Sequence, residues 1–528
     1  MQETKPLGAQ ISHMLKDRGV DVIFGIPGVH NQEMYRGIEE AGIRHVLARH
    51  EQGVGFMADG YARATGKPGV AYVITGPGLC NIMTPMGQAY SDSVSVLVLS
   101  SCLNETASRR GQLHQMLGQE AAARTVCDWS YQANSAKAAY DLVERALVEF
   151  KTQRPRSKHI QVPIGLLEGQ AISPPRQSTA LAETLATTNM DMTSLALALS
   201  SADKPLFVIG GGAAAAATAL REVVSACGAA CFETYAGRGI IAWDYPLNFG
   251  ATLARPSSAQ IMEQADCIVA IGTELAEVDL WRYHLGHDCP LYRIDIDPEC
   301  LADEHRAEVA IHARAEVSMT SLQQEITPSY SSWQVSAVAQ QRRAWRVESE
   351  AERPGIIAIV DALRESVPEN TMIYSDMTQF SYVANEVWPM TRPKHWHHPS
   401  GFGTLGYALP AAIGGAVARP GQPTMAIAGD YGFQYSVQEM GTAVELAQAL
   451  PIILWDNGKL KEIEDSMRSA QIAPNAVIAK NPNFIGLAKA YGAYAVAPET
   501  FAALQQAVIE AFAADRPTLI YLTPNICA

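Results

Sequence analysis

The chain has no basic surplus. Its 528 residues carry 40 Lys and Arg against 54 Asp and Glu, a net charge of −14. Nucleic-acid binding needs cations to neutralise phosphates, so that class of partner is excluded. Long apolar runs are missing too: none approaches the roughly 18 residues of a membrane-spanning helix, and no membrane partner is expected. The first residues, MQETKPLGAQISHMLKDRG, have no apolar stretch after a basic start, so no signal peptide is expected. The nine cysteines form no Cys-x-x-Cys pair, and Cys227 with Cys231 lacks a second pair to complete a zinc site. They read as buried free thiols in a reducing, cytoplasmic compartment. No repeat of 20–50 residues is visible.

What is present is the composition of a globular chain, 48% hydrophobic and 18% charged. At 100–200 residues per domain the length corresponds to about three domains. Two stretches rich in Pro, Ser and Thr, 172–191 and 327–354, divide the chain, the second ending in a charged helical run. The domains are read as 1–172, 190–326 and 354–528. Short strands of aliphatic and β-branched residues are expected at 20–25, 43–48, 70–75, 205–210, 267–272, 292–297, 372–375, 424–428 and 451–455. Helical patterns alternate with them, which predicts an α/β fold of three doubly wound parallel sheets.

Several constellations could carry chemistry. Gly429-Asp430 follows one predicted strand and Asp456-Asn457-Gly458 follows another, at carboxyl ends where open α/β sheets bind ligands. A carboxylate and an amide oxygen suit Mg²⁺, although Asp and Asn also make plain turns. Thr75-Gly76-Pro77-Gly78 and Gly401-Phe402-Gly403-Thr404-Leu405-Gly406 are glycine-rich turns, each compatible with a ligand cradle or simple chain reversal. Gly210-Gly211-Gly212-Ala213-Ala214-Ala215, with Glu233 about twenty residues on, fits a dinucleotide fingerprint or close helix–sheet packing. Glu51 stands in the first turn of a predicted helix over 53–65, where a carboxylate favours the macrodipole.

In combination and in this order, the motifs resemble the thiamine-diphosphate enzymes of the acetolactate synthase, pyruvate oxidase and 2-oxoacid decarboxylase superfamily. The markers are Phe24-Gly25-Ile26-Pro27-Gly28, His50-Glu51, Thr75-Gly76-Pro77-Gly78 with Asn81, the 401–406 loop with Leu409-Pro410-Ala411-Ala412-Ile413-Gly414, and Gly429-Asp430 with Asn457. The resemblance implies that Glu51 drives the cofactor pyrimidine to the imino form that deprotonates thiazolium C2. It implies pyrimidine contacts from Gly403 and Leu405, with the Leu405 side chain propping the bent cofactor. Asp430, Asn457 and the Lys459 carbonyl would bind Mg²⁺. Gly28, Gly76, Asn81, Asp376, Gln379, Gly429, Gly432 and Phe433 would be further cofactor contacts. It also implies a homo-oligomer, dimer or tetramer, whose active site lies between subunits. A flavin in the middle domain is admitted by the 210–215 turn but supported by nothing else.

Two positions depart from the family pattern: Tyr431 stands where Gly is usual, and Asp456 where Asn is usual. Simple pyruvate decarboxylases have a catalytic Glu where this chain has Ile463, which argues against that subgroup. A finer resemblance is to 5-guanidino-2-oxopentanoate (2-ketoarginine) decarboxylases, on Gly28-Val29-His30, Tyr35-Arg36-Gly37 and Gly111-Gln112-Leu113-His114. His30 and His114 are then candidate proton carriers. Glu462, with Glu464 beside it, is a candidate for holding a cationic tail; Val29 and Ile463 are further candidate substrate contacts. His395, His397 and His398 read as a solvated loop at the pocket rim. The implied activity is non-oxidative decarboxylation of a 2-oxoacid. An acetolactate-synthase-like carboligase and a flavin-linked oxidoreductase are the alternatives.

Overall fold

The computed structural model describes residues 4–105, 110–175, 192–478 and 480–527. Most of the first predicted linker, 176–191, lies outside the described residues. Three six-stranded sheets, each wholly parallel, organise the chain as predicted, beside a small antiparallel ribbon pairing Thr4–Pro6 with Gln170–Ile172. Across the first sheet the strands run Arg44–Leu47, Val22–Gly25, Gly69–Val73, Val96–Cys102, Lys158–Pro163 and Trp129–Gln132. The third runs Trp396–His397, Met372–Ser375, Thr424–Gly429, Leu450–Trp455, Pro517–Leu522 and Tyr494–Val496. Numbered in chain order within each sheet, both follow 2-1-3-4-6-5. The middle sheet runs Asn248–Gly250, Ala230–Glu233, Pro205–Ile209, Cys267–Ile271, Leu291–Asp295 and Val309–His312, the 3-2-1-4-5-6 order of a Rossmann fold.

Central strands such as Gly69–Val73, Pro205–Ile209 and Leu450–Trp455 are buried at every position, because helices cover both faces of a parallel sheet. The predicted linker 327–354 is largely a packed element: Val335–Glu352 is a helix that buries Val338 and Trp345 against the middle domain. Trp345 Nε1 donates to Ser257 Oγ at 2.8 Å. All nine cysteines are free, but Cys80 and Cys527 are exposed, correcting the expectation of uniform burial.

The first and third sheets meet through two helices, Glu51–Thr65 and Ala408–Ala418. A side chain at Gly60 would overlap the Ala411 carbonyl oxygen, and one at Gly414 would overlap the Met57 carbonyl oxygen. These two contacts set the helices antiparallel. Tyr374 and Tyr407 lock the seam, donating to Gly60 O and Asp59 Oδ1, each at 2.8 Å. Arg63 pairs with Asp59 and Asp92 beneath them.

Candidate active site

The Glu51–Thr65 helix is capped by His50, whose Nδ1 accepts from Gln52 N at 3.1 Å. Glu51 is thereby released from capping. Its Oε2 accepts from Asn81 Nδ2 at 2.9 Å, near the start of the Pro77–Ser91 helix. That helix follows Gly76, whose φ of 67° and contact with the His114 carbonyl oxygen leave no room for a side chain. Gly76 N donates to Gln119 Oε1 at 2.9 Å, and Gly28 N to Asn31 Oδ1 at 2.8 Å. The His30 and His114 rings meet edge to face with centroids 5.0 Å apart. Both Nδ1 atoms are buried without a hydrogen-bond partner among the described residues. Burial, and then the charge of His114, hold His30 below its ordinary pKa.

The backbone leading into Glu51 is fixed from the third domain. Glu439 accepts from Arg49 N at 3.1 Å and from His50 N at 3.0 Å, and Thr442 Oγ1 donates to it at 3.0 Å. Burial pushes the Glu439 carboxyl up to about 7, against the pull of these bonds. Sequence reasoning missed this residue; the available signal was a Glu within a helical stretch that is otherwise largely apolar.

The second half lies on the third sheet. Asp430 follows the Thr424–Gly429 strand and Asp456 follows Leu450–Trp455, and Asn481 Nδ2 bridges them at 2.7 and 2.9 Å. Burial, and then the neighbouring Asp456 charge, push Asp430 up to about 6 against the Asn481 hydrogen bond. Asn457 Oδ1 accepts from Lys459 N at 3.2 Å, while its Nδ2 donates to Gln379 Oε1 at 3.3 Å. This donor set is carboxylate and amide oxygen with excess negative charge, which fits Mg²⁺. Among the described residues no three His, Cys, Asp or Glu gather as a metal site, and Asn457 is the amide in the set.

The 401–406 loop turns through Gly403 at φ 66° and Gly406 at φ 83°. Asp376 ties it down, accepting from Gly406 N at 2.9 Å and Met377 N at 2.8 Å. Asp376 is buried and its carboxyl is pushed up to about 7 by that burial. Its carboxylate anchors the loop. The Phe433 side chain likewise belongs to the core, edge to face with Phe484 at 5.8 Å. Gly432 packs on Asp376, and Gly429 on Thr378, so closely that side chains would overlap. Tyr431 is half-buried in the first turn of the Asp430–Ser436 helix.

The Pro77–Ser91 helix touches Glu51 through Asn81, but its other end receives the cofactor loop: Gln88 Oε1 accepts from Thr404 Oγ1 at 2.8 Å, and Asp92 from Gly401 N at 3.0 Å. Eleven residues separate Asn81 from Asp92, or about 16 Å at 1.5 Å per helical residue.

Three family models match in this same order: "Thiamine pyrophosphate enzyme, N-terminal TPP binding domain" over residues 6–122, the central domain over 192–322, and the C-terminal TPP binding domain over 376–522. The chain belongs to the thiamine pyrophosphate enzymes. Among its relatives is a "Probable 2-ketoarginine decarboxylase" of Pseudomonas aeruginosa, 38% identical over 100% of this chain and 95% of that protein. Acetolactate synthase isozyme 2 large subunit of Escherichia coli is 28% identical over 92% and 89% of the two chains, and isozyme 1 is 26% identical over 91% and 87%.

In this thiamine pyrophosphate enzyme the acidic residues near the 456–459 loop are already paired. Glu462 receives Arg353, and Glu464 receives Lys459 Nζ at 3.0 Å and Arg468 at 2.7 Å. Val29 and Ile463 are exposed. His397 and His398 are buried, not in a solvated loop: His397 lies in the Trp396–His397 strand, and Ser375 Oγ bonds His398 Nδ1 at 2.9 Å. In the middle domain Glu233 accepts from Ile241 N at 2.9 Å and Asn248 Nδ2 at 3.3 Å. Gly210 and Gly212 press on the Gly272 backbone. These fingerprint residues serve packing and internal hydrogen bonds. No helix among the described residues is long and apolar enough to cross a membrane.

Proposed function

We propose that this enzyme decarboxylates, without oxidation, a 2-oxoacid bearing a guanidinium tail, with 5-guanidino-2-oxopentanoate the expected substrate. The full-length similarity to the 2-ketoarginine decarboxylase carries this reading. The Glu51–Asn81 pair and the oxygen cluster at Asp430 agree with it. Asp430, Asn457 and the Lys459 carbonyl would hold Mg²⁺, and Mg²⁺ the cofactor diphosphate. When bound, thiamine diphosphate supplies a carbon nucleophile and an electron sink for the pair left behind by departing CO₂.

The chain supplies the proton handling. Asn81 fixes Glu51 Oε2, leaving Oε1 to share a proton with the pyrimidine ring. Burial favours a neutral His30, which still carries one ring N–H proton to donate. Each Nδ1 lacks a protein partner among the described residues and can pass a proton to the carbon that has lost CO₂. Such delivery favours aldehyde release over carboligation.

We further infer a homo-oligomer with sites between chains, and domains bounded at 1–172, 190–326 and 354–528. By the resemblance, Glu51 and Gly403 grip two edges of one six-membered ring, whereas in a single chain Asn81, beside the first, and Gln88, beside the second, stand seven residues or about 10 Å apart on one helix. Exposed Val29, Leu113 and Leu117 on one half, and Phe402, Tyr435 and Ile463 on the other, are apolar surface available for covering.

The deciding experiment offers a panel of 2-oxoacids with thiamine diphosphate and Mg²⁺, quantifying aldehyde, acetolactate and electron-acceptor reduction. The expected product is 4-guanidinobutanal. Acetolactate as the main product would favour the carboligase reading, which the similarity to acetolactate synthases supports.

A further inference from the structure

Glu462 is the carboxylate that the preceding reading offers to a cationic tail, and in this structure it already holds a guanidinium. Arg353 Nε meets Glu462 Oε1 at 3.0 Å and Arg353 Nη2 meets Oε2 at 3.0 Å, a parallel, bidentate fork. Gln379 Nε2 adds a third hydrogen bond to Oε1 at 2.7 Å. The Tyr382 ring lies under the guanidinium, 5.6 Å from its central carbon. Carboxylate fork and aromatic face are the chemistry that separates guanidinium from ammonium and from neutral groups. Gln379 also bonds Asn457, so this receptor stands one residue removed from the metal loop.

The occupant is poised to leave. Arg353 follows the Val335–Glu352 helix as its terminal residue and is followed by Pro354 and by Gly355 at φ 83°. Its side chain is 21% exposed and that of Glu462 36%, so the pair sits at the rim of the half-site and outside the core. Its remaining ion partner, Glu352, would keep the displaced guanidinium paired. An empty receptor would leave Glu462 partly desolvated without a cation, a cost that the internal occupant removes.

We propose that Arg353 is an internal stand-in for the substrate's guanidinium: a guanidinium-bearing 2-oxoacid binds by displacing it from Glu462, and a neutral 2-oxoacid cannot. This rests on the substrate class proposed above. Occupancy by Arg353 reduces the apparent affinity by the fraction of receptor left free, so an Arg353-filled state populated about 90% of the time weakens binding about tenfold.

The test uses the full chain loaded with thiamine diphosphate and Mg²⁺, and methylguanidinium as a probe followed by calorimetry. Arg353→Met keeps an apolar stem over Tyr382 and should bind methylguanidinium about tenfold more tightly than wild type. Adding Glu462→Gln should abolish the gain. In turnover, Arg353→Met should lower KM for 5-guanidino-2-oxopentanoate and leave kcat, and KM for 2-oxopentanoate, in place. Unchanged methylguanidinium affinity in a folded Arg353→Met enzyme overturns the proposal, as does a gain that persists in the double variant. If Arg353→Met does not fold, Arg353→Lys, which keeps the charge but loses the fork, should show a smaller gain, and wild-type affinity there overturns it equally. Tighter probe binding by Arg353→Met in an enzyme that turns over only neutral 2-oxoacids would uphold the receptor and overturn the substrate assignment.

Discussion

Glu51 and Glu439 are two carboxyl groups a few residues apart in space with opposite duties. Glu51 has one oxygen anchored by Asn81 and the other free, the arrangement of a group that exchanges a proton. Replacing it by Gln should cost roughly 10²–10⁴-fold in thiamine-dependent turnover, the usual range for a general acid–base group, with thiamine diphosphate binding by calorimetry largely retained. Wild-type turnover in Glu51→Gln would sink this mechanism. Glu439 is buried and holds the Arg49–His50 backbone. Its carboxyl is raised from 4.5 to about 7 in the fold, so the native state keeps a proton that the unfolded chain releases. Stability from this group is present at low pH and is lost as pH climbs from about 4.5 to 7. Glu439→Gln cannot ionise, so its melting temperature should fall less than that of wild type between pH 5 and pH 7.5.

At the level of elements, the seam between Glu51–Thr65 and Ala408–Ala418 depends on missing side chains. Gly60→Ala and Gly414→Ala would each drive a methyl into a backbone carbonyl, and denaturant unfolding should show a loss of about 1–3 kcal/mol apiece. Gly118→Ala, where the nearest atom would be Ala121 Cβ at 3.7 Å, should be close to neutral. Elements were the part of this molecule that the sequence revealed best. Unbroken aliphatic runs announced the central strands to within one or two residues, because burial on both faces leaves no polar interruption. Glycine-rich turns and strand-terminal Asp and Asn marked Gly76, Asp430 and Asn457, since their spacing from a strand is local. Asn481, Gln119, Glu439 and Arg353 were invisible for the converse reason. Each reaches its partner across the tertiary fold, and a lone amide or charge carries little local pattern that would name that partner. The turn at 210–215 stayed ambiguous for a related reason: close backbone packing, which Gly210 and Gly212 make against Gly272, selects the same glycines as a dinucleotide does.

For the whole molecule, a site shared between chains makes a prediction that no single-chain site does. Glu51→Gln and Asp430→Asn should each be inactive alone. Mixed after dissociation and reassociation, they should recover roughly a quarter of wild-type sites, because half of the random dimers are hybrids with one intact pair of halves. No recovery from a demonstrably mixed population would place both halves in one subunit. The first and third sheets share one strand order, so the two halves of such a site would come from domains of like architecture.

The Pro77–Ser91 helix then acquires a second meaning. Its amino end steadies Glu51, while its carboxyl end, through Gln88 and Asp92, grips the 401–406 loop, and with sites between chains these two ends would serve different catalytic centres. A rod with an end in each of two reaction chambers cannot slide in one without sliding in the other. On the between-chain arrangement proposed above, the pair of centres is geared together mechanically, and loading one would be felt by its twin before any subunit has moved as a body.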